Sequence, residues 1–161
     1  MTTVARRVLI VCQANTARSV MAQALLERML RERGGAGRLV VRSGGIAPWA
    51  RDGMLPSHDA RLALRDEGIH LAERDRTSTD LKAHPELIAE ADLIVTMTAE
   101  QKRALASLAE ARGRPVVTLR ELAGEDGDIG DPAGQGDGAF RDCLAEIKRC
   151  LAKSIERLLA T

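Results

Sequence analysis

Residues 7–19 read RVLIVCQANTARS. Arg7 to Cys12 is an almost unbroken apolar run, the mark of a strand buried on both faces. A helical pattern opens after a loop of only about six residues: Met21, Ala24, Leu25, Met29 and Leu30 recur at helical spacing, and Gly34, Gly35 and Gly37 end it. A doubly buried strand that turns directly into an amphipathic helix is the opening unit of a parallel α/β sheet.

The same alternation continues outward. Arg38 to Ser43 predicts a second strand, Gly44 to Pro56 a surface loop around Trp49, and Ser57 onward a helix stopping at Gly68. After the polar stretch Glu73 to His84, Pro85 opens a short helix, Ala91 to Thr96 reads as a third buried strand and Ala99 to Arg112 as a long helix. Val116 to Leu119 supplies a fourth strand, and Gly124 to Gly138 is a loop rich in Gly and Asp. A final long helix carries Phe140, Cys143, Leu144, Ile147, Cys150, Leu151, Ile155 and Leu158 on one face. The expected architecture is α/β, an open twisted four-stranded parallel sheet in three layers with helices on both faces. No internal repeat or linker is visible, so residues 1–161 read as one domain, with its ligand at the carboxyl ends of the strands.

Composition narrows the function. The 24 basic and 23 acidic residues nearly cancel, which disfavours a sequence-independent grip on nucleic acid or on an anionic membrane. No apolar run approaches the ~20 residues of a membrane span, and the N-terminus lacks the pattern of a signal peptide, so a cytoplasmic protein is expected. One Trp, one Phe and no Tyr leave aliphatic side chains to build the core. The three cysteines do not suggest a disulfide scaffold. Cys143 and Cys150 share a helix face but lie about 10.5 Å apart along its axis, too far for a bridge. His58, His70 and His84 share no metal-ligand spacing, and neither a metal nor a cofactor is expected.

The loop Gln13-Ala14-Asn15-Thr16-Ala17 lies where such a sheet binds ligands. A loop entering a helix N-terminus directs free backbone N–H groups and partial positive charge at one point, which suits inorganic phosphate or a similar oxyanion. Arg18 adds a planar fork of donors. The same donors favour a thiolate, which makes Cys12 a candidate nucleophile. Ser19 is placed to cap the helix or donate to that thiolate, and Asn15 to hold the loop. A strand-end Cys is by itself more often inert core; the constellation of Cys, five residues, Arg and Ser between strand and helix favours function.

VLIVCQANTARSVMAQALL resembles the signature of the low-molecular-weight protein tyrosine phosphatase family. The similarity extends through Arg42-Ser43-Gly44-Gly45, residues 91–98 and Asp131-Pro132, covering nearly the whole chain in order. The resemblance implies that family's Rossmann-like fold and a cysteinyl-phosphate intermediate formed on Cys12 from a phosphorylated protein. Ester hydrolysis by that route needs a proton donor that later serves as base. Asp131 is the candidate, because Pro132 holds it in extended backbone and because the family's general acid occupies the matching Asp-Pro. Asp137 is assigned to a helix cap instead. Asp126, Asp128 and Asp137 match a calcium loop in spacing, but Asp131 stands where its turn glycine belongs.

Three positions bear on the substrate. Relatives acting on phosphotyrosine carry aromatic residues after Asp-Pro, where this chain has Ala133-Gly134. Thr16 resembles the protein-arginine-phosphatase branch, whereas tyrosine-specific members commonly carry Ile there. Trp49 resembles the aromatic wall of tyrosine-specific members, and Ala133 also departs from phosphoarginine members, which tend to have an aromatic there. The balance inclines to phosphoarginine, with phosphotyrosine as the other substrate. Ala17 stands where many relatives have a second cysteine, so Cys12 lacks that partner against oxidation. The competing readings are a thiol-coupled arsenate reductase relaying through Cys143 and Cys150, and a phosphate-binding module without catalysis.

Overall fold

The computed structural model describes residues 5–72 and 74–160. Four parallel strands run β1 (Arg6–Cys12), β2 (Leu39–Gly45), β3 (Leu93–Thr96) and β4 (Val116–Thr118), in the spatial order β2-β1-β3-β4. The predicted parallel sheet with two helical faces is therefore present. The central strand β1 is paired on both sides, with Val8 facing Val41 and Leu93, and Cys12 facing Gly45.

The alternation of β1 divides the core. Val8, Ile10 and Cys12 pack on one face with α1 (Arg18–Glu32), α2 (His58–Asp66) and α6 (Asp137–Leu159). Leu9 and Val11 pack on the other with Ile46, Leu81, Ile88 of α3 (Pro85–Ala89) and Leu105 of α4 (Ala99–Ala106). Double burial explains why β1 has no polar face, and each large aliphatic side chain taken from water contributes about 1.5–3 kcal/mol.

Local chemistry sets the helix ends. Ser57 caps α2 by accepting from Ala60 N (3.0 Å), and Thr98 with Gln101 forms a capping box at α4. Gly34 and Gly68 terminate α1 and α2 at positive φ (68° and 83°), and in both cases the next residue reaches back, Gly35 N to Leu30 O and Ile69 N to Leu64 O.

Five expectations are corrected. First, β2 runs on to Gly45, because Gly44 and Gly45 pair with Val11 and Cys12 of β1 while Gly45 N donates to Thr79 O (2.8 Å) and Leu81 N to Gly45 O (3.0 Å) on the other side. The Gly-Gly pair is a close-packed strand end, with Leu81 seated on Gly44. Second, the loop beyond it is not simply surface, since Ile46, Ala47 and Ala50 are buried. Third, the helix expected over 99–112 breaks after Ala106; Ser107 Oγ donates back to Ala104 O (2.7 Å), Leu108 turns extended, and a 3-10 turn follows at Ala109–Ala111. Fourth, Leu119, expected at the end of β4, opens a short helix, α5 (Leu119–Leu122), held by a Thr118–Glu121 capping box. Fifth, Asp137 does not cap α6. Gly136 holds the cap position at φ 90°, and Asp137 is the first helical residue, where its charge favours the helix dipole.

Candidate active site

Cys12 ends β1 on the α1 and α6 face, 3% exposed. The segment 13–17 turns around its sulfur into α1. The loop's carbonyls are drawn outward by neighbouring segments: Ile46 N donates to Cys12 O (3.0 Å), Ala47 N to Gln13 O (3.0 Å) and Ser57 N to Thr16 O (2.8 Å). No side chain caps the first turn of α1. Asn15 N donates to Cys12 Sγ (3.3 Å), and Ser19 Oγ lies 2.9 Å from the same sulfur.

Asn15 locks this arrangement. It sits at φ 62°, buried, and spends its amide on three elements. Nδ2 donates to Ser19 Oγ (2.7 Å) and Ser43 Oγ (3.0 Å), while Oδ1 accepts from Thr79 N (2.9 Å). Ser43 Oγ in turn donates to Gln23 Oε1 (2.6 Å), and Gln23 Nε2 to Val41 O (3.0 Å). The loop's shape is thus transmitted from β2, α1 and the 78–82 segment. The polar stretch between α2 and α3, expected only as polar chain, is a strap across the sheet edge.

Arg18 is 5% exposed, a buried cation with Nη1 on Ile129 O (2.8 Å) and Nη2 3.9 Å from Asp131 Oδ2. Asp131 itself is open to solvent, its Oδ1 accepting from Ala133 N (3.0 Å) in the turn that Pro132 starts. A cleft of about 220 Å³ joins these groups. Cys12, Gln13, Ala14, Thr16, Ala17 and Arg18 form its floor, with Asp131, Ala133 and Trp49 around it. Asn15 and Ser19 bond Cys12 from behind and do not line the cleft.

Three cleft residues escaped the sequence reading: Met54, Ser57 and Phe140. Phe140 was legible only as core; it is 3% exposed yet also borders the cleft, because it lies in the first turn of α6 directly after the acid loop. Ser57 was recognisable as a helix start, and nothing in the sequence marked Met54.

Burial pushes the Cys143 thiol up to about 11 and raises Cys150 as well. Both therefore stay protonated at neutral pH, which suits core cysteines and not a thiol relay. Asp128, in the same Gly- and Asp-rich loop as Asp131, accepts from Ala99 N (2.9 Å) at the start of α4. His84 is bonded to Asp52 (2.8 Å). Among the described residues, no group of three or more His, Cys, Asp or Glu side chains could hold a metal ion.

Residues 7–161 match the family model described as low molecular weight phosphotyrosine protein phosphatase. The chain is similar to the protein-arginine-phosphatase of Geobacillus stearothermophilus, 33% identical over 94% of this chain and 95% of the relative. It is also similar to a probable low molecular weight protein-tyrosine-phosphatase, EpsP, of Ralstonia solanacearum, 33% identical over 96% of this chain and 97% of the relative. Among solved structures, a mutant YwlE arginine phosphatase with a phosphorylated active-site serine superposes with a TM-score of 0.83 at 30% identity, covering 94% of this chain and 95% of that one.

Proposed function

The chain belongs to the low molecular weight phosphotyrosine protein phosphatase family, and from that membership we propose that Cys12, Arg18 and Asp131 carry out cysteine-dependent hydrolysis of a phosphorylated protein, with residues 1–161 acting as one catalytic unit. The observation that supports it best is the meeting of a buried sulfur, its N–H and O–H donors, a buried guanidinium and a solvent-facing carboxyl around one cleft.

In the first step the Cys12 thiolate attacks phosphorus and a P–S bond forms. The bond from phosphorus to the leaving atom breaks, and Asp131, as the carboxylic acid, gives that atom its proton. Backbone N–H groups of residues 13–19 and the Arg18 fork stabilise the charge on the non-bridging oxygens. In the second step the Asp131 carboxylate takes a proton from water, the hydroxide oxygen attacks phosphorus, and the P–S bond breaks to release inorganic phosphate and regenerate the thiolate. The Ser19 hydroxyl, 2.9 Å from the sulfur, stabilises the thiolate as leaving group.

For the substrate we take phosphoarginine, with phosphotyrosine as the second reading. Thr16 brings a hydroxyl to the cleft, and Ala133 leaves open the wall where an aromatic residue would press on a flat ring. Trp49 and Phe140 beside the same cleft favour the second reading. No described helix is long and apolar enough to cross a membrane; the proposal sets the reaction in the cytoplasm, with neither nucleic acid nor a membrane as partner.

The test is rapid-mixing kinetics on p-nitrophenyl phosphate. A burst of p-nitrophenol absent in Cys12→Ser is expected, with the steady-state turnover that follows the burst strongly slowed in Asp131→Ala, where the base for water is missing; intact protein without any burst would leave only a binding module. Side-by-side kcat/KM on phosphoarginine and phosphotyrosine peptides decides the substrate, and Thr16→Ile should move the preference toward phosphotyrosine. An unmoved ratio removes Thr16 from the argument.

A further inference from the structure

The loop that carries Asp131 is anchored from one side only. After Asp131 its bonds are local: Ala133 N to Asp131 Oδ1 (3.0 Å), Gln135 Nε2 to Asp131 O (2.9 Å) and Gln135 N to Pro132 O (3.1 Å). Before it, residues 128 and 129 are tied to the body of the protein. Ile129 N donates to Met97 O (2.9 Å), Arg18 Nη1 to Ile129 O (2.8 Å), Ala99 N to Asp128 Oδ1 (2.9 Å) and Arg120 Nε to Asp128 O (3.0 Å). The placement of the carboxyl over the cleft is therefore set by these two residues together with two closer contacts, Cys143 Sγ on Gly130 O (3.8 Å) and Arg18 Nη2 at 3.9 Å from Asp131 Oδ2.

The anchors differ in their independence of substrate. Arg18 is the buried cation of the oxyanion site, so phosphate draws on the same guanidinium that holds Ile129. Arg120 stands outside the cleft on α5 and does not line it. Its guanidinium is held by Glu125 (3.2 Å to Nη1) and by Glu146, which takes Nη2. Glu125 is itself gripped by Arg149 and Lys153 (2.5 and 2.7 Å), which keep its carboxyl far below the usual range and so permanently charged. An isolated surface ion pair would contribute little. Here a network fixes one arginine, and the remaining Nε–H makes a charge-assisted bond to the backbone of the acid loop.

We propose that Arg120 is a positioning residue for the general acid, fixing through the Asp128 carbonyl where the Asp131 carboxyl meets the leaving atom. The proposal rests on the reading of Asp131 as acid and base, and is tested so that the two fail separately.

The experiment compares kcat/KM on p-nitrophenyl phosphate, whose leaving group departs with little help, and on phenyl phosphate, whose leaving group needs the proton. In Arg120→Met, p-nitrophenyl phosphate should be hydrolysed within about threefold of the wild-type rate and phenyl phosphate about tenfold or more slower, since small misplacements of a catalytic group carry losses of this size. Arg120→Lys keeps the charge cluster and the folded state but lacks the Nε–H, and should show the same selective loss. Adding Arg120→Met to Asp131→Ala should cost nothing further on phenyl phosphate. An equal loss on both substrates, or a full additional loss in the Asp131→Ala background, overturns the proposal and leaves Arg120 a stabilising residue. If Asp131→Ala itself slows both substrates equally, the assignment of the acid fails, and the positioning role fails with it.

Discussion

The Ser19 hydroxyl lies 2.9 Å from the Cys12 sulfur and at the same time accepts from Asn15 Nδ2 at 2.7 Å. With its oxygen engaged by Asn15, the hydroxyl keeps one proton, which it gives to sulfur in the proposed thiolate form of Cys12. A hydrogen bond to a charged group contributes roughly 1.5–3 kcal/mol, or about tenfold and upward in rate where it acts on the reaction. Ser19→Ala should therefore slow breakdown of the cysteinyl-phosphate at least about tenfold, read as a larger burst relative to the steady state on p-nitrophenyl phosphate. Unchanged steady-state turnover would remove Ser19 from the chemistry.

Asn15 combines a left-handed backbone (φ 62°) with three side-chain bonds. Asn15→Gly loses the bonds but relaxes the backbone, whereas Asn15→Ala loses the bonds and strains it. Both should destabilise, Ala by about 1 kcal/mol more than Gly, given a cost of roughly 1–2 kcal/mol for a Cβ in that region. Urea unfolding checks the order; Ala as stable as Gly would mean that backbone strain has no part in it.

Gly45 lies against the loop that follows Cys12, and a Cβ there would come 2.6 Å from Gln13 O and 2.9 Å from the Ala14 carbonyl carbon. Because the obstacle is backbone, the loop must move. Gly45→Ala should lower kcat/KM by about tenfold to a hundredfold. At Gly44 the added Cβ would meet the buried Leu81 side chain at 2.4 Å, so Gly44→Ala should instead lose stability, by about 1–3 kcal/mol. Melting curves beside kinetics separate the two, and Gly45→Ala with wild-type activity would show that the contact does not shape the loop.

His84 is raised above its ordinary value of 6.5 by its hydrogen bond to Asp52, with Asp52 and Glu86 both favouring the proton. The unfolded chain titrates near 6.5, so the pair's stabilisation is complete below that pH and is lost as pH rises through the higher folded value. Asp52 belongs to the loop bearing Trp49, the only tryptophan. Acrylamide quenching of Trp49 should therefore increase as pH rises from about 6 through the folded value, in wild type but not in His84→Gln. Identical profiles for the two proteins would uncouple the pair from the loop.

Cys12 has Ala17 beside it in the loop, and burial holds Cys143 and Cys150 as thiols. A peroxide pulse should carry Cys12 past sulfenic to sulfinic acid, visible by mass spectrometry as irreversible addition of oxygen. A Cys12 disulfide as the main product would overturn this.

The sheet was legible because its signal is local: a strand buried on both faces cannot hide its apolar run, as in β1 and β3, and the helices carry their own stop signals, as at Gly34 and Gly68. Misreadings fell where long-range pairing, or a side chain bonding its own backbone, overrode the local pattern. Gly44-Gly45 reads as the start of a surface loop, and is strand because it pairs with Val11 and Cys12 of β1 while the 79–81 segment bonds along its other side. The helix expected to run to Arg112 ended early because Ser107 bonded its own backbone.

By itself the sequence determined the order of strands and helices, the Cys12-bearing loop between β1 and α1, and the pairing of Asp131 with Pro132, since each rests on residues adjacent in the chain. Tertiary structure alone decided what surrounds the sulfur. Asn15 reaches Ser43 and Thr79, Arg18 reaches Ile129, Arg120 reaches Asp128, and Phe140 closes on the cleft from α6. The physical reason is that hydrogen-bond partners and cleft walls depend on which side chains the folded backbone brings within about 3–4 Å, and spacing along the chain does not encode that distance once the partners lie on different elements.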